Sequence, residues 1–304
     1  MATIAADRKG NFSCVEFKDG LAYKRLYLNG DGICEHVLRA ATVFSREIPE
    51  IIRAKLIVTD NVACFEMEQG QHTLREFVQS QTYRMFNSWE RLNFAYNVLK
   101  DLSLQLCNLH HYSIVHNDLH DGNVIQMMDG SWKIIDFGWC SEDREEMEIV
   151  PCPWQVSVEN VHSSGYCVTG TEIDTWSLTF LFSYCIYGTH VLWVSKNQSV
   201  DQDDIKYNYN CYLSDLQQFC DVCPHDIAKF LIFDPEQRRL NASANAMYKM
   251  ACSYFTQGKN FKKRLKLCNI IDLMPNVKKT TMPKCIGTTT VTTFESSLKI
   301  CTTY

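Results

Sequence analysis

The sequence predicts an α+β protein in which a small, strand-rich N-terminal part with one helix precedes a larger, mainly helical part. Three observations favour this fold class. Short β-type runs surround a single helical periodicity in the first sixty-odd residues, helical periodicity dominates after Gly70, and an apolar content of 46% over 304 residues can fill a large core.

The N-terminal part reads as strands, one helix and further strands. Strands are predicted over 13–17 and 21–28, because they flank Asp19-Gly20, a dipeptide typical of a tight hairpin turn. A helix is predicted from Ile33 to about Phe44, with one buried face made by Val37, Leu38, Ala41 and Phe44. Two more strands are predicted over 54–58 and 62–67.

Beyond Gly70 the predicted elements are helices, over 73–80 and 89–111 and within 172–187, 212–232 and 242–256. The apolar run 178–194 is interrupted by polar residues, which favours a buried helix over a membrane span. Residues 257–304 turn basic and then threonine-rich, as in a tail. We therefore expect an N-terminal lobe over 1–68, a C-terminal lobe over 69–256 and a tail over 257–304.

Charge and cysteine usage exclude several classes of partner. A net charge of -5 provides no general basic field, so neither nucleic acid nor an anionic membrane is expected as a partner. The first ten residues lack an apolar signal segment, so we expect an intracellular protein whose fifteen cysteines are reduced thiols. Cys220, Cys223 and His225 could begin a zinc site, but no second CxxC pair accompanies them. The sequence does not indicate an oligomeric state.

The chemistry is concentrated between residues 116 and 138. His116-Asn-Asp118-Leu-His120-Asp-Gly-Asn123 is followed by a short predicted hairpin and then by Asp136-Phe137-Gly138. Phosphoryl transfer needs a carboxylate that orients the acceptor hydroxyl and oxygen ligands for the Mg²⁺ that neutralises the phosphates. Asp118 suits the first task, and Asn123 and Asp136 suit the second.

This segment resembles the catalytic loop and metal-binding motif of the eukaryotic protein-kinase superfamily, HRDLxxxN followed by DFG. The resemblance implies a bilobal protein-kinase-like fold with ATP and Mg²⁺ as cofactors. Asp118 would be the catalytic base, and Asn123 and Asp136 would be the metal ligands. The compact chain suits a minimal kinase of the kind that viruses encode.

Weaker matches precede this segment in the order that the superfamily requires. Lys24 in Leu21-Ala-Tyr-Lys resembles the lysine that contacts the α- and β-phosphates, and Glu35 would be its ion-pair partner, with Glu47 and Glu50 as rivals. The phosphate-covering loop is represented by Gly10, Phe12 and Val15, although one of its three glycines survives. At the hinge, the main chains of Glu66 and Glu68 would bind adenine, and Phe65 would guard the rear pocket.

Two matches follow in the helical part. Asp174-Thr-Trp-Ser-Leu resembles the segment whose aspartate braces the catalytic loop. Asp234-Pro-Glu-Gln-Arg238 resembles a late motif whose arginine pairs with a glutamate, by position Glu159. Such a buried pair would be structural.

The departures from the superfamily pattern concern regulation and the acceptor. Asn117 replaces the usual arginine of the catalytic loop. In the segment between Gly138 and Glu159, only Ser141 and Ser157 carry a side-chain hydroxyl. The same segment contains an acidic run, which consists of Glu142, Asp143, Glu145, Glu146 and Glu148. We expect activity without activation-loop phosphorylation, and the acidic run indicates a preference for basic protein substrates.

His120 stands where many serine/threonine kinases have lysine, and it would contact the nucleotide phosphates. Histidine there is similar to the loops of haspin-like kinases and of aminoglycoside and choline kinases. A Ser/Thr protein kinase is favoured because Phe137-Gly138 and the Asp174 and Asp234 motifs are present. A small-molecule kinase and a pseudokinase scaffold remain as alternatives.

Overall fold

The computed structural model describes residues 8–9, 13–27, 35–59, 62–148, 166–188, 229–232 and 234–256. The predicted tail over 257–304, the possible zinc residues Cys220, Cys223 and His225, and most of the helix predicted within 212–232 lie outside these ranges. Within them, residues 229–232 form a turn and an irregular segment.

The N-terminal part is a five-stranded antiparallel sheet with one helix. Its strand order is β1-β2-β3-β5-β4. The elements are β1 (Arg8–Lys9), β2 (Ser13–Lys18), β3 (Leu21–Tyr27), α1 (Glu35–Ser45), β4 (Ala54–Thr59) and β5 (Val62–Glu68). The predicted hairpin between β2 and β3 is confirmed.

The hairpin turn has the backbone that its sequence predicts. Asp19 and Gly20 both have positive φ angles, 52° and 78°, as a type I′ turn requires. This turn fixes the β2–β3 register and sets Val15 opposite Lys24. The same register sets Lys24 opposite Phe65 on β5, so the three side chains lie in one row on one face of the sheet.

Helix α1 differs in detail from its prediction. Its buried residues are Val37, Ala40 and Val43, whereas Leu38 is 52% exposed. The buried face of the helix is therefore rotated from the one that the apolar spacing predicted. Phe44 packs partly buried against the core.

The larger part is mainly helical, with short two-stranded ladders that carry the loops. Its helices are α2 (Leu74–Gln79), α3 (Gln81–Arg84), α4 (Ser88–His111), α5 (Thr171–Tyr187), α6 (Pro235–Asn241) and α7 (Ala244–Thr256). Its strands are β6 (Ile114–Val115), β7 (Val124–Gln126), β8 (Trp132–Ile134), β9 (Ser141–Glu142), β10 (Glu146–Glu148) and β11 (Tyr166–Val168), and a 3₁₀ turn covers Phe137–Trp139.

Local sequence accounts for the helix starts. Thr73 before α2 and Asn87 before α4 each form a capping box with a glutamate three residues later. Asp234 caps α6, a helix that the sequence reading did not predict, and Pro235 occupies its first turn. The caps satisfy main-chain N–H groups that would otherwise lack partners.

Helix α5 forms the centre of the larger part. All its residues from Glu172 to Tyr187 are buried, which confirms the prediction of a buried helix for this part of the apolar run, whereas residues 189–194 of the run lie outside the described residues. It packs against α4, which in turn contacts α7. Within the described residues, no helix is both long enough and apolar enough to cross a membrane.

The connection between the two parts is tight. A side chain at Gly70 would overlap Ile125 of β7, so glycine allows the chain leaving β5 to lie directly on the hairpin that carries the catalytic loop. The adjacent main chain is bonded there too, since Gln71 N–H donates to Gln126 O at 2.7 Å.

Candidate active site

The catalytic loop, residues 116–123, is held from beneath by α5. One carboxylate oxygen of Asp174 accepts a hydrogen bond from the His116 main-chain N–H at 2.8 Å, and the other accepts one from Asn117 N–H at 3.0 Å. His110 of α4 lies 2.9 Å from the same carboxylate. Asp174 is fully buried, so the predicted brace of the catalytic loop is confirmed.

Asp118 and Asn123 are joined across this loop. The Asn123 amide nitrogen donates at 2.9 Å to both the main-chain oxygen and the Oδ2 atom of Asp118. These bonds orient the Asp118 carboxylate and leave the Asn123 amide oxygen as a candidate metal ligand. Asn123 O also accepts from Ile135 N–H at 2.9 Å, which ties the loop to the residue before Asp136.

Asp136 meets Lys24 from the opposite side. The Lys24 Nζ and Asp136 Oδ2 atoms are 2.6 Å apart, with side chains 17% and 20% exposed. Asp136 has a left-handed backbone, φ 66° and ψ 75°, which non-glycine residues rarely adopt and which is often found at functional sites. The geometry therefore brings the predicted phosphate-binding cation and a predicted metal ligand together.

The donor set fits Mg²⁺. Asn123 and Asp136 offer one amide and one carboxylate oxygen, and Mg²⁺ is commonly held by one or two carboxylates together with phosphates and water. No group of three or more His, Cys, Asp or Glu side chains in the described part of the chain forms a metal cluster, as a dedicated zinc site would.

The pKa values of the Asp118 and Asp136 carboxyl groups are shifted in opposite directions. Burial and the nearby Asp136 charge raise the pKa of Asp118 to about 7, although the Asn123 hydrogen bond opposes the shift. Burial is the largest single influence on Asp136 and raises its pKa, but the charge and hydrogen bond of Lys24, together with His116 and His120, outweigh it, so this pKa lies below its ordinary value. Asp136 is thus a carboxylate at neutral pH, and Asp118 is poised to hold a proton.

His120 has a defined neutral tautomer. Gly122 N–H donates to its Nδ1 atom at 2.9 Å, so the ring hydrogen is on Nε2, which lies 3.8 Å from Asp118 Oδ2. Burial lowers the pKa of His120 to about 4. The ring therefore offers one uncharged N–H donor beside Asp118.

Glu35, the predicted partner of Lys24, has a different partner in the structure. Glu35 is the first residue of α1, its side chain is 72% exposed, and it pairs with Arg39 one turn later rather than with Lys24. Side chains four residues apart on a helix lie adjacent, so the local pair forms readily, while Lys24 lies against the more buried Asp136. The rival Glu50 pairs with Lys133, and Glu47 is exposed in the turn after α1.

The predicted adenine contact of Glu66 stays a prediction. Strand β5 continues to Glu68, and Glu66 lies opposite Tyr23 on β3 and Lys55 on β4. Glu68 is the last residue of the strand, opposite Leu21 on β3, and its adenine contact is likewise a prediction.

The remaining predicted nucleotide contacts fall in two groups. Val15 lies on the same face of the sheet as Lys24, where it can cover a bound nucleotide. Gly10 and Phe12 lie outside the described residues. Phe65 is 3% exposed and begins a row of aromatic contacts, with Phe44 at 5.4 Å and then Phe137 at 5.3 Å.

Asn117 stands where the kinase superfamily has an arginine, and its uncharged amide group bridges neighbouring segments. Its amide nitrogen donates to Trp139 O at 2.9 Å and to Ser141 Oγ at 2.8 Å. Ser141 Oγ bonds Thr169 Oγ1 at 2.8 Å, and both residues are buried. The Asn117–Ser141–Thr169 bridge thus joins the catalytic loop, the segment after Asp136 and the start of α5.

The acidic run is largely neutralised. Glu145 pairs with Arg39 at 2.7 Å, Asp143 pairs with Arg239 at 2.6 Å, and Glu142 lies 3.6 Å from Arg46. Glu146 is exposed on β10. The run therefore presents less negative charge to a substrate than the sequence alone indicated.

A second ion pair at the catalytic loop was not predicted. Arg75 of α2 makes two bonds to Asp121, at 3.0 and 2.9 Å, and Asp121 is only 1% exposed. The two residues are 46 positions apart, and nothing in either local sequence indicates the pairing. The buried Asp121 and the half-buried Arg75 fix the loop next to His120.

Arg238 is fully buried, with its guanidinium 4.7 Å from the Trp176 ring centre and one nitrogen donating to Ile232 O. Its predicted partner Glu159 lies outside the described residues. The neighbouring Arg239, rather than Arg238, is the one that reaches Asp143.

Comparison with known proteins agrees with this geometry. The family described as "Protein kinase domain" matches residues 20–250. A probable serine/threonine-protein kinase, mkcC of Dictyostelium discoideum, is 30% identical over 141 residues, which are 46% of this chain and 14% of that protein. Serine/threonine-protein kinase PAK 5 of Rattus norvegicus is 29% identical over 111 residues, 35% of this chain and 14% of the relative.

Serine/threonine-protein kinase pak-1 of Caenorhabditis elegans is 35% identical over 74 residues, 23% of this chain and 12% of that kinase. The chain thus matches no more than about one seventh of the length of these relatives. The match over most of this chain, together with the bilobal arrangement of sheet and helices, shows that the protein belongs to the protein kinase family.

Proposed function

We propose that this protein is an ATP- and Mg²⁺-dependent Ser/Thr protein kinase. The observation that carries the proposal is the convergence of Lys24, Asp136, Asn123 and Asp118 through contacts of 2.6 and 2.9 Å. A scaffold has no chemical need for this set. The similar proteins are serine/threonine-protein kinases, and the catalytic loop is not of the tyrosine-kinase type, so Ser/Thr acceptors are favoured.

Each residue has a role that its environment supports. Asp118 would accept the acceptor hydroxyl's hydrogen bond and then its proton, and Asn123 holds that carboxylate in place. Lys24 would bind the α- and β-phosphates, and Asn123 and Asp136 would hold Mg²⁺, which neutralises phosphate charge during transfer. The neutral Nε2–H of His120 would donate to a phosphate oxygen beside Asp118.

The decisive experiment is transfer of radiolabel from γ-labelled ATP to basic proteins, acidic proteins and small aminoalcohols. We expect label in protein, and Asp118→Asn should lower the rate at least a hundredfold. Asp129→Asn is the matched control, because Asp129 is exposed in the β7–β8 turn and should leave the rate unchanged. Label only in aminoalcohols would favour a small-molecule kinase, and nucleotide binding without transfer would favour a scaffold.

We further propose that activity does not require phosphate on Ser141. Its hydroxyl is engaged by Asn117 and Thr169, and the residue is only 5% exposed, so a modifying kinase would have to open the bridge. Asn117 also lacks the positive charge that would bind a phosphate there. Phosphatase-treated enzyme, shown by intact mass to be unmodified, should retain full activity. Activity that disappears with loss of a Ser141 phosphate would contradict the proposal.

A further inference from the structure

We propose that Arg39, rather than Glu35, is the α1 residue that positions the catalytic centre, by fixing the segment that follows Asp136. The inference rests on the proposed kinase function and names a positioning residue for it. Arg39 touches neither Asp118 nor Lys24 in the described contacts, so its effect must travel through the main chain of residues 138–145.

Two side chains of α1 attach to this segment. Arg39 Nη1 donates to Cys140 O at 2.7 Å, and its two terminal nitrogens contact the Glu145 carboxylate at 2.7 and 3.3 Å. His36 Nδ1 lies 2.9 Å from Gly138 O, and its ring meets Trp139 edge-on at 4.2 Å. Helix α1 is therefore bonded at several successive points just after Asp136.

The guanidinium group of Arg39 is suited to link α1 rigidly to the segment after Asp136. A guanidinium can bind a carboxylate with two nitrogens and still donate to a main-chain oxygen, which a lysine cannot do with the same fixed geometry. The Arg39 side chain is 17% exposed, and its Glu145 partner is 34% exposed. Such a partly buried, hydrogen-bonded pair restrains its surroundings more than an exposed one.

Glu35 has a subordinate place in this arrangement. Its carboxylate accepts from Arg39 Nε at 3.1 Å, so it helps to orient the guanidinium, but it is 72% exposed. Water can replace most of what it contributes. Since Lys24 pairs directly with Asp136, the helix acts on the metal-binding side of the site and not on the lysine.

The strained backbone of Asp136 explains why this link between α1 and the following segment matters. A non-glycine residue at φ 66° stays in that conformation only when its surroundings hold it there. The bonds to Gly138 and Cys140 fix the chain immediately after it. Loss of Arg39 should therefore misdirect the Asp136 carboxylate and weaken Mg²⁺-dependent nucleotide binding and turnover more than acceptor binding.

The test compares full-length variants Arg39→Met, Glu145→Gln, their combination, Arg39→Lys and Glu35→Gln. Arg39→Met should lower kcat about 30-fold and Glu145→Gln about tenfold, and the double variant should be no worse than Arg39→Met, because the two residues act as one unit. Arg39→Lys should recover part of the loss, Glu35→Gln should stay within about threefold, and KM for the protein acceptor should not change.

Arg46→Met is the matched control. Arg46 also reaches from the end of α1 towards the segment, to Glu142 at 3.6 Å, but this contact is exposed and does not involve the residues next to Asp136. It should leave kcat unchanged. If Glu35→Gln is as damaging as Arg39→Met, or if the Arg39 and Glu145 losses add in the double variant, the proposal is wrong.

A second measurement separates this inference from the kinase proposal. Binding of a fluorescent ATP analogue is titrated with and without Mg²⁺; Arg39→Met should abolish most of the gain in affinity that Mg²⁺ gives, and Glu35→Gln should not. If wild type transfers phosphate to no acceptor but the two variants still differ in this way, the kinase proposal fails and the role of Arg39 stands. An equal gain in both variants overturns the role of Arg39 even in an active enzyme.

Discussion

The two sides of the active site are attached to the protein in different ways. The catalytic loop is fixed from below by Asp174, a fully buried carboxylate that accepts two main-chain hydrogen bonds. The segment around Asp136 is fixed from above by Lys24 and Arg39, whose side chains are both 17% exposed. The catalytic loop, which would bind the acceptor and supply one Mg²⁺ ligand, is thus built into the core, whereas the segment that would supply the Asp136 ligand depends on contacts close to solvent.

The largest expected effect comes from breaking the buried side. Asp174→Ala would leave the main-chain N–H groups of His116 and Asn117 without their acceptor, and the free energy of unfolding should fall by about 3–5 kcal/mol. Chemical denaturation measures this loss. Asp234→Ala, which removes the cap of α6, is the control and should cost about 1 kcal/mol. Equal losses of unfolding free energy in the two variants would mean that Asp174 stabilises the fold no more than a helix cap does.

Breaking the upper side should affect activity instead of stability. Lys24→Met should lower kcat/KM for ATP at least about a hundredfold, since the phosphates lose their cation and Asp136 loses its partner. The denaturation midpoint should move little, because the pair is partly hydrated. Lys55→Met, an exposed lysine of the same sheet, is the control in the kinetic assay. If the denaturation midpoint of Lys24→Met falls as far as that of Asp174→Ala, the two sides of the site do not differ in their contribution to stability.

Asp118 lies where the two sides meet, and its ionisation should destabilise the fold. Its pKa in the folded protein, about 7, is above the unfolded value, so the stability it contributes is present below about pH 4 and is lost as pH rises through 7. Without nucleotide and Mg²⁺, Asp118→Asn should therefore be more stable than wild type at pH 8, by about 2 kcal/mol, with the difference shrinking towards pH 4. Urea denaturation at several pH values checks this. A difference that does not vary with pH would exclude ionisation as its cause.

The smallest effect is expected at the outer edge of the segment. Because Glu142, Asp143 and Glu145 already face arginines, reversing the exposed charge of Glu146 should change the ratio of kcat/KM for basic and neutral peptides by no more than about twofold. Peptide kinetics with Glu146→Lys test this. A change of tenfold or more would restore the preference for basic substrates that the acidic run suggested.

The sequence predicted what depends on local pattern. Asp19-Gly20 fixed a hairpin register, and the spacing of Asp118, Asn123 and Asp136 identified residues that the fold does bring together. Both predictions rest on short segments whose conformation is set by nearby residues. The predictions of strands β2 to β5 and of helices α4, α5 and α7 agree with the structure for the same reason, whereas helix α6 was not predicted.

The features that were predicted wrongly or missed depend on how a helix is rotated and on contacts between residues far apart in the sequence. The rotation of α1 about its axis decides which of its side chains face the site, and apolar spacing assigned Leu38 to the wrong face. The pairs Arg75–Asp121 and Arg239–Asp143 join residues 46 and 96 positions apart, so only the folded chain reveals them.

The row of rings formed by Phe65, Phe44 and Phe137 has a mechanical consequence. Rings in contact at 5.4 and 5.3 Å act as a spacer of fixed length between the sheet and the catalytic loop, and His116 continues the row at 5.4 Å from Phe137. The upper sheet cannot tilt freely towards or away from the loop without separating a pair of rings. A small molecule bound behind the proposed nucleotide site would have to displace a ring and replace its packing, so its shape would have to match that ring.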